Sequence, residues 1–335
     1  MAVISLIGFK YKVFLSVARG GVLLWEMKQW EHVLTASAWP EMALWEKWMT
    51  YALEGGGKRL RPWLLWETYA VYAEKPSLDD ALPAMRAIEL IHTFTLVHDD
   101  VMDRSEMRRD RPTIHKLTDE NTAILIGDAL MIAAYEVLAD LKPEVTGKVV
   151  RYLARQALRV CHGQLLDLEL ARRPTPTVHM SDYLWMIREK TGALMGAAMA
   201  VGGMLAYQEE GIVGLLQEAG EKLGIFFQVQ DDYLDAYSTQ TGKVLGGDIV
   251  EGKRTFLWLW AYETTSDSVR ALMDDPTRGQ ERREVLLELY HEPAFAQRAK
   301  AFLEEQFRQV EEAFRALPGG ERLCESVRVL YGRQR

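Results

Sequence analysis

Apolar residues recur three or four positions apart along almost the whole chain, and strand-like alternation bounded by turn dipeptides is scarce. From Ala81 onward, for instance, Met85, Ile88, Ile91, Thr95 and Met102 step in this way. Such spacing puts apolar groups on one side of a helix. Breakers interrupt it at Glu74–Ser77, Leu141–Pro143, Arg172–Thr177, Asp275–Pro276 and Pro318–Gly320. Segments of about two to four dozen residues lie between them, longer than the usual globular helix. No internal repeat, low-complexity tract or long Gly/Ser linker divides the chain. The expectation is an all-α protein, a single-domain bundle of ten or more helices over residues 25–335.

Residues 1–24 stand apart. They are apolar, with Lys10 and Lys12 early, and Ala36-Ser37-Ala38 resembles a cleavage site. The apolar run is too short, and too interrupted by Lys10, Lys12 and Arg19, to span a bilayer. An N-terminal extension, or a helix packed on the body, is the expectation. The Trp-rich stretch Trp25–Trp48 is either an interface or part of a buried helix.

The formal net charge of −8 over 335 residues argues against broad binding to nucleic acid or anionic membranes. An anionic substrate therefore needs local cations. The two cysteines, Cys161 and Cys324, show no metal-ligand spacing and fit a reducing compartment, so the cytoplasm is the default.

The clearest chemical signal is Asp99-Asp100-Val101-Met102-Asp103. In a helix Asp99 and Asp103 share a face, with Asp100 at its edge, and carboxylates that close repel one another. A hard cation such as Mg²⁺ would relieve them, keeping waters and phosphate oxygens as its other ligands. Alone, the cluster is as readily a solvated acidic helix end. However, Asp231-Asp232-Tyr233-Leu234-Asp235 repeats the spacing, again after an apolar run. Two such clusters facing each other across a cavity could hold several divalent ions and a bridging diphosphate, stabilising it as it departs.

Basic residues accompany them. Gly55-Gly56-Gly57-Lys58-Arg59-Leu60-Arg61-Pro62 joins a flexible loop to a helix start, with Lys58 a point charge and Arg61 a fork for phosphate oxygens. Arg108 and Arg109 follow the first cluster. His92 lies two helical turns before Asp99 on roughly its face, where a satisfied core histidine is as plausible as a ligand. Lys190, Lys243 and Lys253 add cations that individually read as surface lysines. Gly192–Leu205 is nearly all Gly, Ala, Met and Val, which suits tight packing or the wall of an apolar cavity.

In order along the chain stand GGGKRLRP (Gly55–Pro62), ELIHTFTLVHDDVMD (Glu89–Asp103), RRDRPT (Arg108–Thr113), GDAL (Gly127–Leu130), GQLLDL (Gly163–Leu168), KTG (Lys190–Gly192), FQVQDDYLD (Phe227–Asp235) and GKVLGGDIVEGKRT (Gly242–Thr255). On these elements the chain resembles the trans-isoprenyl diphosphate synthases, or polyprenyl synthetases, from about Trp39 onward. The resemblance implies a helical bundle around a central apolar cavity, usually a homodimer, with membrane contact not required. It implies Mg²⁺, with three ions when substrate is bound and Mn²⁺ able to substitute, on Asp99, Asp100, Asp103, Asp231 and Asp235. Asp232 and Lys190 join these aspartates in the implied catalytic set. Arg108, Lys190, Lys253, Thr191, Gln228 and Lys243 would hold an allylic diphosphate, and Lys58, Arg61, His92 and Arg109 isopentenyl diphosphate. The implied reaction is ionisation of the allylic substrate, attack by the isopentenyl double bond, then proton loss to the departing diphosphate. A dry apolar cavity would protect the carbocation.

One departure is Asp110, where the family commonly has Gly after the Arg pair; it would either weaken the diphosphate site or face solvent. Phe94 and Thr95 precede the first cluster by five and four residues, where side chains stop product growth. One aromatic there, with an uninterrupted DDxxD, resembles synthases of the twenty-carbon product; fifteen carbons, or twenty-five and more, are the alternatives. A class I terpene cyclase would usually lack the second DDxxD, and a non-catalytic partner subunit typically loses acidic residues; this chain keeps both clusters.

Overall fold

The computed structural model describes residues 3–6, 9–12, 43–238 and 245–332. The described residues are overwhelmingly helical, with well over ten helices, as the apolar spacing requires. They divide into two compact units, one built from residues up to 151 with 201–209 and 322 onward, the other from 152–200 and 210–321.

In the first unit the short helix α1 (Ala43–Leu53) leads into α2 (Leu60–Tyr72) and the long α3 (Leu78–Met102). Asp79 and Asp80 occupy the first turn of α3, where carboxylates favour the positive end of the helix dipole. Asp80 also receives Lys142 at 2.7 Å. Helix α4 (Ile114–Leu117) precedes α5 (Glu120–Val137), whose start is capped by the Asp119 carboxylate accepting from Thr122 N–H at 3.0 Å. Helix α5 packs along α3. Its segment Glu120–Asp140 is long and apolar enough by composition to cross a membrane, but half of it is buried in the protein.

Helices α6 (Pro143–Arg172) and α8 (Ala193–Leu205) each pass from one unit into the other. The second unit also holds α7 (Met180–Ile187), a π-helical turn at Arg188–Gly192, and the long α9 (Glu210–Tyr237). Five helices follow: α10 (Gly247–Glu251), α11 (Phe256–Thr264), α12 (Asp267–Asp274), α13 (Gly279–Tyr290) and α14 (Pro293–Arg315). Helix α15 (Glu321–Gly332) belongs almost wholly to the first unit. The stretch Gly192–Leu205 is buried at every position but its partners include backbone: a Cβ on Gly220 would sit 2.6 Å from the Gly196 Cα. Small residues serve close helix packing there.

Every breaker marked in the sequence falls at or between the ends of α-helices. The uninterrupted segments are shorter than expected, because further turns near Gly252, Thr265 and His291 divide the C-terminal half. Two short hairpins were not expected. Val3–Leu6 pairs antiparallel with Phe9–Lys12, so this part of the N-terminal stretch is a β-ribbon and not a helix. Met107–Arg108 pairs with Arg111–Pro112, closing a loop of Arg109 and Asp110.

Candidate active site

Both aspartate clusters end long helices. Asp99 and Asp100 lie in the last turn of α3 and Asp103 is its C-terminal cap. Asp231, Asp232 and Asp235 lie in the last two turns of α9. Each cluster therefore adds mutual repulsion to the negative end of a helix dipole, a placement that calls for nearby cations.

In the first unit that cation is Arg108. Its Nε donates to both oxygens of Asp100, at 2.8 and 2.9 Å. Burial pushes the Asp100 carboxyl up to about 6; Arg108 pulls it back down, while Asp99 and Asp103 raise it further. Arg108 is brought there by its two-residue hairpin loop. Arg109 (φ 50°) and Asp110 (φ 61°) both adopt the left-handed conformation of a type I′ turn. Asp110 is exposed, at the turn position where Gly is the easiest occupant. The hairpin is anchored on α1, where Tyr51 donates to the Pro112 carbonyl at 2.7 Å and the Arg111 guanidinium lies 3.9 Å from the Tyr51 ring centre. An open cleft lies beside it, lined by Gly55, Thr93, Leu96, Asp100 and the three arginines.

The glycine loop meets the same hairpin. The Arg109 guanidinium donates to the Gly56 carbonyl and packs on Gly57, where a Cβ would come within 2.5 Å of it. Gly57 also has φ of 133°, which only glycine adopts easily. Arg59, in the left-handed conformation before α2, is buried, donating to the Leu53 carbonyl and, at 2.5 Å, to Glu89 of α3. It fixes the loop to α3 and leaves Lys58 exposed and Arg61 half-buried on either side. His92 belongs to the same group: burial, then the charges of Arg61, Arg109, Arg108 and Arg59, hold its pKa well below the ordinary value. Arg61, His92 and Arg109 of the sequence-predicted set are thus brought together by α2, α3 and the hairpin, while Lys58 is an exposed residue of the adjoining loop. Arg59 was not singled out from the sequence; its left-handed backbone and its burial against Glu89 distinguish it from its neighbours.

Thr95 shares the Asp99 side of α3, whereas Phe94 lies about 140° round the helix at 3.6 residues per turn. Phe94 is buried and packs edge-on against His98, with 5.9 Å between ring centres; His98 in turn bonds the Ile124 carbonyl of α5 at 3.0 Å.

In the second unit Asp232 is buried, accepting from the Tyr183 hydroxyl at 2.7 Å and from Gln228 Nε2 at 2.9 Å. Burial pushes its carboxyl up, and Asp248 is raised as well, by burial and by Asp232. Thr191 donates to Gln228 at 2.9 Å, so Thr191, Gln228, Asp232 and Tyr183 form one chain of bonds. Lys190 donates to Asp167 of α6 at 2.7 Å. The Asp235 carboxylate accepts from Asp248 N–H at 3.2 Å, and Lys253 pairs with Glu251 at 2.7 Å. Lys243 lies outside the described residues. Asp167 and Tyr183 were not singled out from the sequence; Asp167 lay in plain view in GQLLDL, as the partner such a lysine needs.

The donor set suits a divalent cation of the hard, oxygen-seeking kind. Among the described residues no group of three or more His, Cys, Asp and Glu side chains is placed to hold a metal ion. Mg²⁺ commonly takes one or two carboxylates and completes its shell with water and phosphate oxygens, so it does not require such a group.

The chain as a whole is similar to known proteins. The chain is 40% identical over 220 residues to a short-chain isoprenyl diphosphate synthase of Methanocaldococcus jannaschii, a match covering 65% of this chain and 66% of that relative, about two thirds of its length. A geranylgeranyl pyrophosphate synthetase structure from Pyrococcus horikoshii superposes with a TM-score of 0.77 at 29% identity, over 93% of this chain and 95% of that one. A decaprenyl diphosphate synthase from Rhodobacter capsulatus does so at 0.80 and 27%, over 93% and 98%. The profile of one family, polyprenyl synthetase, matches residues 42–292, a span that includes both aspartate clusters, the glycine loop and the arginine hairpin. With three quarters of its length accounted for in this way, the chain belongs to the polyprenyl synthetase family.

Proposed function

We propose that the protein is a Mg²⁺-dependent trans-prenyltransferase that condenses isopentenyl diphosphate with an allylic diphosphate. The observation that carries this is the pair of aspartate clusters, each at the carboxyl end of a long helix and each beside a group of cations and hydrogen-bond donors suited to diphosphate. Asp99 and Asp103 would hold metal in one unit, Asp231 and Asp235 in the other. When bound, the ions neutralise the departing diphosphate and so assist ionisation of the allylic substrate.

The chain's own residues divide the remaining work. Asp100, buried against Arg108, aims that guanidinium at the allylic diphosphate in preference to binding metal itself. In the second unit Lys190, Thr191, Gln228 and Lys253 form their own group of donors suited to diphosphate. Lys58, Arg61 and Arg109 would grip isopentenyl diphosphate. His92, kept neutral at pH 7 by its surroundings, would donate an N–H without adding charge. The isopentenyl double bond attacks the allylic cation, and the departing diphosphate accepts the proton lost afterwards.

A twenty-carbon product is our reading of chain length, with Phe94 and Thr95 below the first cluster. A homodimer fits too: Ile124, Leu125 and Ile132 leave an apolar stripe of α5 exposed, which a second copy would cover. The protein would act in the cytoplasm.

The test is a product assay with Mg²⁺, labelled isopentenyl diphosphate and dimethylallyl, geranyl or farnesyl diphosphate. A single elongated alcohol after dephosphorylation, lost with EDTA and restored by Mg²⁺ or Mn²⁺, is expected. No elongation from any starter would exclude the activity.

A further inference from the structure

We propose that Glu189 and Arg159 are positioning residues for Lys190 and Thr191, fixing the turn that carries them into register for an allylic diphosphate. This deepens the proposed function and depends on its assignment of Lys190 and Thr191.

Residues Arg188–Gly192 form one turn of π-helix, with the Ala193 N–H bonded to the Arg188 carbonyl. Such turns are rare interruptions of α-helix and tend to persist where their surroundings impose them, frequently at functional sites. Here the turn is gripped on two sides by consecutive residues. Arg159 of α6 donates to Glu189 through Nε, at 3.0 and 3.2 Å, and through Nη2 at 2.5 Å. Its Nη1 reaches Glu221 of α9 at 2.5 Å. The other Glu221 oxygen accepts from Arg188 at 2.6 Å, and Gln217 donates to Glu221 at 2.8 Å. Both carboxylates are no more than 5% exposed.

The next two residues turn to other partners. Lys190 reaches Asp167 and Thr191 reaches Gln228. Glu189 thus anchors the turn on a buried ionic network, and the widened turn presents the following pair to the diphosphate-binding residues. The backbone fit is close as well, since a Cβ on Gly163 would lie 2.2 Å from the Lys190 nitrogen. Buried ion networks contribute little to stability relative to apolar side chains of equal volume, whereas they can specify one arrangement over its neighbours. The arrangement specified here is the π register. Without the Glu189 anchor the turn can relax toward α geometry, which swings Lys190 and Thr191 around the helix axis.

The experiment measures KM for geranyl diphosphate and for isopentenyl diphosphate separately, in the full-length protein with Mg²⁺. The variants are Glu189→Gln, Arg159→Lys and Lys190→Ala, assayed well below melting temperatures read by circular dichroism. Two anchor variants are used so that one folded protein suffices. Glu189→Gln is expected to raise the geranyl diphosphate KM about tenfold with the isopentenyl KM within about twofold of wild type. Arg159→Lys should show the same selectivity to a smaller degree. In the Lys190→Ala background, Glu189→Gln should add less than about a twofold effect, the non-additivity expected of residues acting through one another. Equal rises in both KM values, or full additivity with Lys190→Ala, would overturn the inference. If Lys190→Ala itself leaves the geranyl diphosphate KM unchanged, the assignment of the site beneath it is what fails.

Discussion

The Nε of Arg108 donates to both carboxylate oxygens of Asp100, so two groups expected to serve substrate and metal separately serve each other. Asp100 is buried, and Arg108 is what keeps its carboxyl from rising beyond about 6. Arg108→Gln should therefore lose a charged contact to the starter and discharge part of the first cluster. The expected result is a rise of roughly 30-fold in KM for the allylic substrate, the size of about 2 kcal/mol for a lost charged hydrogen bond. Initial-rate kinetics with geranyl diphosphate varied at fixed isopentenyl diphosphate would check it.

His92 gives a pH signature. Its folded pKa is held well below the unfolded value of about 6.5, first by burial and then by Arg61 and its neighbours. For a base with a depressed folded pKa, the unfolded chain takes up a proton that the native one refuses. Stability is then fully present above about pH 6.5 and is lost as pH falls, by at most about 1.4 kcal/mol per pH unit from this one group. His92→Gln should be free of that loss. Denaturation curves of both proteins at pH 7.5 and 5.5 should show the variant gaining on wild type at the lower pH; a constant difference would refute the assignment.

Asp110 should be harmless. It is exposed, and its positive φ suits glycine better but is tolerated by Asp. Asp110→Gly is expected to change stability by less than about 1 kcal/mol, as relief of left-handed backbone is offset by a freer unfolded chain. Catalytic constants should stay close to wild type. Asp110→Val, β-branched at the same φ, should lower the melting temperature clearly.

Gly163→Ala tests the close approach of α6 to the π turn. The added methyl carbon would lie 2.2 Å from the Lys190 nitrogen and 2.5 Å from its Cα, so backbone must move. A cost of about 1–3 kcal/mol is expected, as for other overpacked sites. Chemical denaturation would measure it. An unchanged midpoint would mean that the two segments are not held this tightly.

For product length, Thr95→Phe adds a ring on the Asp99 side of α3 and should shorten the product to fifteen carbons. Phe94→Ala removes a ring packed on His98, which should cost about 3–5 kcal/mol and let longer products form. Chromatography of the dephosphorylated alcohols reads both. An unchanged distribution in both variants would put the floor on another helix.

The helical class, the breakers and the placing of both clusters at helix ends were legible because apolar spacing and Pro/Gly punctuation are local signals. The arginine hairpin was not, since Arg-Arg-Asp-Arg carries no strand alternation and its turn lacks the usual glycine. The chemistry of the clusters was readable from residue type. The contrast between Asp100 and Asp99, or between Glu189 and Lys190, was not, because it depends on which neighbour is buried beside which. Arg59 shows the same limit: nothing in the sequence between Lys58 and Arg61 tells that it faces Glu89 in the interior.

The turn at Arg188–Gly192 also has a meaning for chain length in the genetic sense. A π turn accommodates about one residue more than an α turn in the same place. Deleting a single residue there would leave a helix that still runs unbroken from α7 into α8, but as an α turn that no longer carries Lys190 and Thr191 in their present register. A one-residue gap in the middle of a helix, when this segment is aligned with a relative, would mark a real difference in how the cationic turn is presented.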